Sequence, residues 1–197
     1  MNSAGETTHT PDTVLPEDQQ AIAKGLNEVV LILESLSIPY VLEGGTLLGI
    51  IRENRFLPWD VDVGIAVAAE EIFPKKENLK EVLSDAGFRL SDLDDTFENC
   101  KINAIKYGAR YEITGWFLRG RYRRRYHYRM APGVLSEKKL IHFMNYPFMI
   151  PAQPEKYLYH FYGNWKVPVK GGRFHNFLCY DQGFFWGRQL RKLLGRP

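Results

Sequence analysis

GGTLLGIIRENRFLPWDVDVGI, Gly44–Ile65, places a glycine pair ahead of a helical start and then sets Asp60 and Asp62 on alternate positions of an apolar run. Adjacent glycines let backbone N–H groups come close to a bound anion, and a helix N-terminus favours its negative charge. Gly44, Gly45 and Thr46 stand at that turn, and Arg52 offers a charge-assisted contact to the same anion. Taken alone, these residues read first as a tight strand-to-helix turn that needs glycine for geometry. The two aspartates alter that reading. Side chains at alternate strand positions share a face, and two carboxylates there repel each other unless a cation lies between them.

Val61, Val63, Ile65 and Val67 pin a strand over Val61–Val67 into a core, which argues against an exposed acidic edge. Hard divalent ions such as Mg2+ prefer oxygen ligands, so Asp60 and Asp62 are candidate metal ligands. Gly64 follows in the same phase, where a missing side chain leaves room for a ligand to approach. A third acid on a neighbouring strand completes such a site. Glu112, in RYEITGWF between Tyr111 and Ile113, is the candidate, and it reads equally well as an exposed strand glutamate. A glycine turn followed by D-V-D on the next strand resembles the spacing of a nucleotidyltransferase-type fold, and that resemblance implies phosphate at the turn and metal at the acids.

Composition bounds the rest. The chain has 197 residues, 45% of them hydrophobic, which suits one globular domain with a sizeable core. Its net charge of +3 argues against a dedicated nucleic-acid partner while allowing a local basic patch. RGRYRRRYHYRM, Arg119–Met130, is that patch: arginines alternating with tyrosines can grip nucleic acid, bind one anionic substrate or form a solvated hairpin. His127 has no partner at ligand spacing and is not assigned a catalytic role. Cys100 and Cys179 form neither a metal motif nor a disulfide framework and read as buried thiols. The polar start MNSAGETTHTPDT lacks a signal sequence, and no segment reaches the roughly 18 apolar residues of a membrane span. The expectation is a cytoplasmic protein, or one of the Golgi or another membrane compartment if an anchor precedes this sequence.

Along the chain, residues 1–14 read as a flexible tail and 15–197 as a single domain. Pro16, Glu17 and Asp18 open a helix whose apolar spacing runs through Ile22, Leu26, Val29, Leu33 and Leu36. IPYVL is a short strand, and a helical or turn segment starts near Thr46. Leu79, Val82, Leu83 and Ala86 form a helix face closed by Gly87. Ala104–Leu118 alternates as one or two strands, with Tyr111 and Ile113 on one face and Glu112 and Thr114 on the other. Asp92, Asp94 and Asp95 read as a solvated loop. PEKYLYHFYG, Pro154–Gly163, is a compact helix, and FFWGRQLRKLLGRP closes the chain. The mix gives an α+β or mixed α/β fold, a small mixed sheet flanked by helices.

The sequence resembles the LicD/fukutin family of phosphotransferases. The family pattern is GGTLLGAVR, then about ten residues to a PWD segment with D-h-D-h-G, matched here by Gly44–Arg52, Pro58–Trp59 and Asp60–Gly64. A later family stretch, VPxxYxxYLxxxYGxxWKxP, is similar to Ile150–Pro168, IPAQPEKYLYHFYGNWKVP. The resemblance covers roughly residues 38–172. It implies a nucleotidyltransferase-like fold that moves phosphocholine or ribitol phosphate from a CDP-linked small-alcohol donor to a glycan acceptor. Mg2+ or Mn2+ then sits on Asp60 and Asp62, with Glu112 at the place of the family's later acid, usually aspartate. The alternatives are a nucleotidyltransferase acting on RNA or a small molecule, and a non-catalytic binding module that keeps the fold. The family often reads PWDxDxD where this chain reads PWDVDV. Holding the strand in register, which buried faces fix more tightly than loops do, makes Asp60 and Asp62 the intact pair and puts Gly64 beyond it.

Overall fold

In the computed structural model the described residues are 18–60, 62–94, 96–168 and 176–180. The N-terminal tail, the proposed helix opening at Pro16 and Glu17, Val61, Asp95 and the closing basic segment lie outside them. Helix α1 (Gln19–Ser35) follows the apolar spacing, burying Ile22, Leu26, Val29 and Leu33. β1 (Tyr40–Leu42) leads through Glu43 into α2 (Gly44–Glu53), which starts two residues earlier than the sequence suggests. Gly44 has φ +63, a left-handed conformation that glycine adopts without steric cost. Asn54 ends α2 in the same region, at φ 51. The chain then turns through buried Phe56 and Leu57 to β2 (Asp62–Ala68).

After α3 (Ala69–Ile72) and α4 (Lys76–Asp85), Gly87 at φ +81 reverses the chain into β3 (Arg89–Asp94). Asp92 and Asp94 are thus strand residues, a correction to the expected loop, and a bulge falls between them. β4 (Lys101–Lys106) and β5 (Ala109–Arg119) form the two strands read from residues 104–118. β6 (Tyr122–Arg125) and β7 (Tyr128–Met130) carry the arginine patch as a hairpin off the far end of β5. β8 (Lys138–Phe143) pairs with β9 (Tyr146–Pro151), a hairpin the sequence reading missed, and α5 (Pro154–Tyr162) stops at Gly163, φ +64.

Among the described residues the main sheet runs in the order β1-β2-β5-β4-β3. Only the β2–β5 pair is parallel, which requires the long crossover that α3, α4, β3 and β4 supply. Its register sets Asp62 beside Arg110 and Gly64 beside Glu112. Tyr111 and Ile113, fully buried, face the side that α1 covers, and Tyr111 Oη donates to the Ile22 carbonyl at 3.1 Å. The fold is therefore mixed α+β, a multi-strand sheet flanked by helices. Cys100 and Cys179 are buried free thiols. No described helix is long and apolar enough to cross a membrane.

Gly25 shows how tightly α1 sits on β5. A Cβ there would lie 2.1 Å from Tyr111 Oη. Overpacking a core costs about 1–3 kcal/mol, against at most about 1 kcal/mol gained from alanine's helix propensity. Gly25→Ala is therefore expected to lower unfolding stability by roughly 1–2 kcal/mol in urea titrations. A neutral or stabilising result would mean that α1 and β5 are less closely packed.

Candidate active site

A cleft of about 780 Å3 opens where the start of α2, the loop before β2, the near ends of β2 and β5, and α5 converge. It collects the residues the sequence singled out: Gly44, Gly45, Arg52, Asp60, Asp62, Gly64 and Glu112 all line it. Their roles differ in detail from the expectation. Asp60 lies in the loop rather than in the strand, since β2 begins at Asp62. Its backbone N–H bonds the Leu57 carbonyl at 3.0 Å, and its Oδ1 accepts from the Asp62 N–H at 3.4 Å. The two acids are adjacent because a turn sets them so, not because a pleat does.

The glycine turn is shaped around Asp60. A Cβ on Gly45 would lie 1.6 Å from Asp60 Oδ2, so the carboxylate rests against bare backbone in the first turn of α2. Thr46 is buried, with its hydroxyl turned to β2. Its hydroxyl accepts the Gly64 N–H at 2.9 Å and reaches the Asp62 carbonyl at 3.5 Å, extending the edge of β2 past the end of β1. Thr46 thereby fixes the backbone that carries Asp62. Arg52 is held as well: two of its nitrogens donate to Glu53 Oε1 at 3.0 and 2.7 Å, and a third to the Trp165 carbonyl at 3.2 Å. It clamps the segment after α5 onto α2.

Each acid on the sheet has a cation. Arg110 Nε and a terminal nitrogen reach Asp62 Oδ1 at 2.6 and 2.5 Å, and this arginine is 41% exposed. Glu112 pairs with Lys101, and more loosely with Arg125 at 3.6 Å. Lys101 and Arg125 are nearly enclosed, at 11% and 14% exposure. Two buried polar atoms near this layer, Asn103 Oδ1 opposite Glu112 and Arg125 Nε, have no hydrogen-bond partner among the described residues. Of the arginine patch, Arg125 lines the cleft together with Tyr126, His127 and Tyr128, whereas Arg123 is tied to Glu70 and the Trp116 carbonyl, and Arg129 donates to the Leu178 carbonyl.

The sequence reading missed Glu43. It is 7% exposed, accepts from Trp116 Nε1 at 3.1 Å and from the Tyr157 hydroxyl at 3.4 Å, and precedes the glycine pair. Tyr157 Oη in turn accepts the Gly44 N–H at 3.1 Å, so the turn, β5 and α5 meet at one carboxyl. The signal was present: an acid directly after the buried run Tyr40–Leu42 invites the same question as Asp60. Glu43 also explains Gly64, whose Cβ would meet the Glu43 carbonyl oxygen at 3.1 Å. The close approach there is by the chain itself.

Burial raises the Glu43 carboxyl to about 7, only partly offset by the positive charge of Arg125 and the Trp116 hydrogen bond. The folded state therefore holds this proton more tightly than the unfolded chain. That contribution to stability is complete below about pH 4.5 and is lost as pH rises through about 7, a span of roughly 3 kcal/mol. Glu43→Gln has no such loss. The mutant is expected to gain on wild type by that order between pH 4.5 and 8 in denaturant titrations, and parallel profiles would show that Glu43 ionises freely.

Asp60 and Asp62 both line the cleft and carry oxygen donors, the donor type that Mg2+ and Mn2+ prefer. Among the described residues no three acidic, histidine or cysteine side chains come together as a metal cluster, and Glu112 is paired with Lys101 and Arg125. Ribitol 5-phosphate transferase FKRP from Mus musculus and from Homo sapiens are each 38% identical to this chain over 53 residues. That stretch is 27% of this chain and 11% of either relative, so only about a tenth of their length is matched. The solution structure of the antibiotic-resistance factor ANT(2'')-Ia aligns over 89% of this chain and 85% of its own, at 12% identity and a TM-score of 0.47. A family model described as LicD/FKTN/FKRP, nucleotidyltransferase domain, matches residues 37–153. With more than half of its residues inside that match, the chain belongs to the LicD/FKTN/FKRP family.

Proposed function

We propose that this protein is a metal-dependent phosphotransferase that moves a phosphorylated small alcohol from a CDP-linked donor to a glycan hydroxyl. The observation that carries the reading is the Gly45–Asp60–Asp62 junction, where bare backbone at a helix N-terminus meets two adjacent carboxylates inside one open cleft. Asp60 and Asp62 would hold Mg2+ or Mn2+, which when bound neutralises phosphate oxygens and draws charge from the leaving group. In the reaction the acceptor oxygen bonds to the phosphorus that carries the alcohol. The bond from that phosphorus to the bridging oxygen breaks, cytidine monophosphate leaves, and the hydroxyl proton passes to a cleft carboxylate.

The residues of the chain mainly position and screen. The first turn of α2 presents backbone N–H groups and the positive end of its dipole to the diphosphate. Arg110 and Arg125 supply positive charge along the cleft wall. Trp59, 59% exposed, and Tyr126 offer flat apolar faces to a sugar or a base at the mouth. Phosphoryl transfer relies on such positioning more than on covalent chemistry.

The test is a thermal-shift screen of CDP-ribitol, CDP-choline and CDP-glycerol with and without Mg2+ or Mn2+, followed by product analysis. A ligand that binds the native state raises the melting temperature. Metal-dependent stabilisation with release of cytidine monophosphate supports the reading. Incorporation of a nucleotide into an acceptor would instead mark a nucleotidyltransferase, and absence of any metal-dependent nucleotide binding would mark a binding module.

A further inference from the structure

We propose that Glu112 is not a ligand of the catalytic metal but the anchor of a cationic phosphate-binding site, in which Lys101 is the residue that contacts the donor's diphosphate. This rests on the reading of the cleft as a metal-dependent phosphate-handling site and assigns its sheet wall.

The two sheet acids face different circumstances. Among the described residues Asp62 is paired with Arg110, which is 41% exposed. An exposed guanidinium on a flexible stem exchanges readily for a metal ion, because water solvates it as it leaves. Glu112 has two partners, Lys101 and Arg125, both largely enclosed and both rooted in strands of the same sheet, β4 and β6. For a divalent ion to reach Glu112, it must either displace both or settle beside them against like charge in a partly dry layer. Glu112 also stands outside any three-acid cluster among the described residues.

Lys101 and Arg125 nonetheless line the cleft, on the wall that also carries the acid pair. Arg125 keeps a buried Nε with no hydrogen-bond partner among the described residues. The guanidinium is thus under-paired beside the cleft, and its charge is available to an anion that binds against that wall. The ammonium of Lys101, held by Glu112 on one side, has further donors to offer on the other. The arrangement is a cation pair kept in place by one carboxylate. It can bind the diphosphate without a second metal ion.

Two probes test this on the whole chain: Mn2+, followed by electron paramagnetic resonance, and inorganic pyrophosphate, followed by calorimetry in excess chelator. Glu112→Gln is expected to keep Mn2+ affinity within about threefold, while Asp62→Asn loses about 100-fold or more. Without metal, Glu112→Gln should bind pyrophosphate several-fold more tightly, because the glutamine carbonyl still holds Lys101 by a hydrogen bond while no negative charge competes with the anion. Lys101→Met should bind it about tenfold more weakly, with Lys101→Arg restoring most of the loss. If Glu112→Gln weakens Mn2+ as much as Asp62→Asn does, Glu112 is a metal ligand and the proposal falls. Unchanged pyrophosphate affinity in both Lys101→Met and Glu112→Gln would overturn it equally. Wild-type protein that binds no Mn2+ would remove the phosphotransferase reading itself, and the metal-free pyrophosphate arms would still decide the role of Lys101.

Discussion

Asp62→Asn is expected to reduce transfer by about 10³-fold, on the order of 4 kcal/mol of transition-state stabilisation, while the melting temperature stays close to that of wild type. The two halves of the statement come from different atoms. The backbone of Asp62 is what the fold uses: its carbonyl meets the Thr46 hydroxyl, its N–H meets Asp60, and its register beside Arg110 belongs to the sheet. Asparagine preserves all of these. The carboxylate side chain, by contrast, is paired with a half-exposed arginine, and an exposed ion pair contributes about 0–1 kcal/mol. Measuring turnover and a thermal melt on the same preparation checks both halves. A mutant that unfolds makes Asp62 structural, and one that keeps full turnover removes it from the site.

Gly45→Ala is the second large effect and works through shape alone. The new methyl would stand 1.6 Å from Asp60 Oδ2 and 2.8 Å from its Cγ, and the carboxylate is a movable side-chain end, so it is the group that yields. Alanine is a good helix former, and no positive φ is required at this position, so α2 survives. The outcome is an intact protein whose Asp60 has been turned out of place. Displacing a catalytic group by about 1 Å can cost about a hundredfold, so turnover should fall by that order with little change in stability. Mn2+ affinity should weaken alongside it. Gly44→Ala is the contrast: its φ of +63 strains any other residue, so its damage should register in the melting temperature too. Equal stability losses in the two variants would show that Gly45 is needed for backbone geometry and not for Asp60.

The legible parts of this protein are those in which local pattern and tertiary role coincide. The glycine pair and the face of Tyr111 and Ile113 each carry a period or a conformational demand that chemistry ties to one structure. What stayed hidden depends on partners far along the chain. Glu43 carries a local signal, an acid after a buried run, but what holds it comes from Trp116 and Tyr157, 73 and 114 residues away. Arg52 looks like an anion contact until the Trp165 carbonyl and Glu53 occupy it. Thr46 sits in a phosphate-turn motif, yet its hydroxyl is consumed by the edge of β2. Lys101 had no local signal at all, since a lysine at a strand start is ordinary until Glu112 lies across from it. The placement of Asp60 in a turn escaped the period-two argument because alternation in sequence does not require a pleated backbone.

The parallel pairing of β2 with β5 has a consequence for how the protein is made. Asp62 and Arg110 are 48 residues apart, and the strand that carries the latter also brings Glu112 and Trp116. Closing so long a loop precedes any gain from the contact, which makes such pairings slow relative to local ones. On the ribosome both aspartates and the glycine turn leave the exit tunnel well before β5 exists, and α5, with Tyr157, follows later still. For that interval the nascent chain displays two uncompensated carboxylates and an apolar strand with no neighbour on one edge, the kind of surface that chaperones cover. The cleft can therefore form only after β5 and α5 have been made.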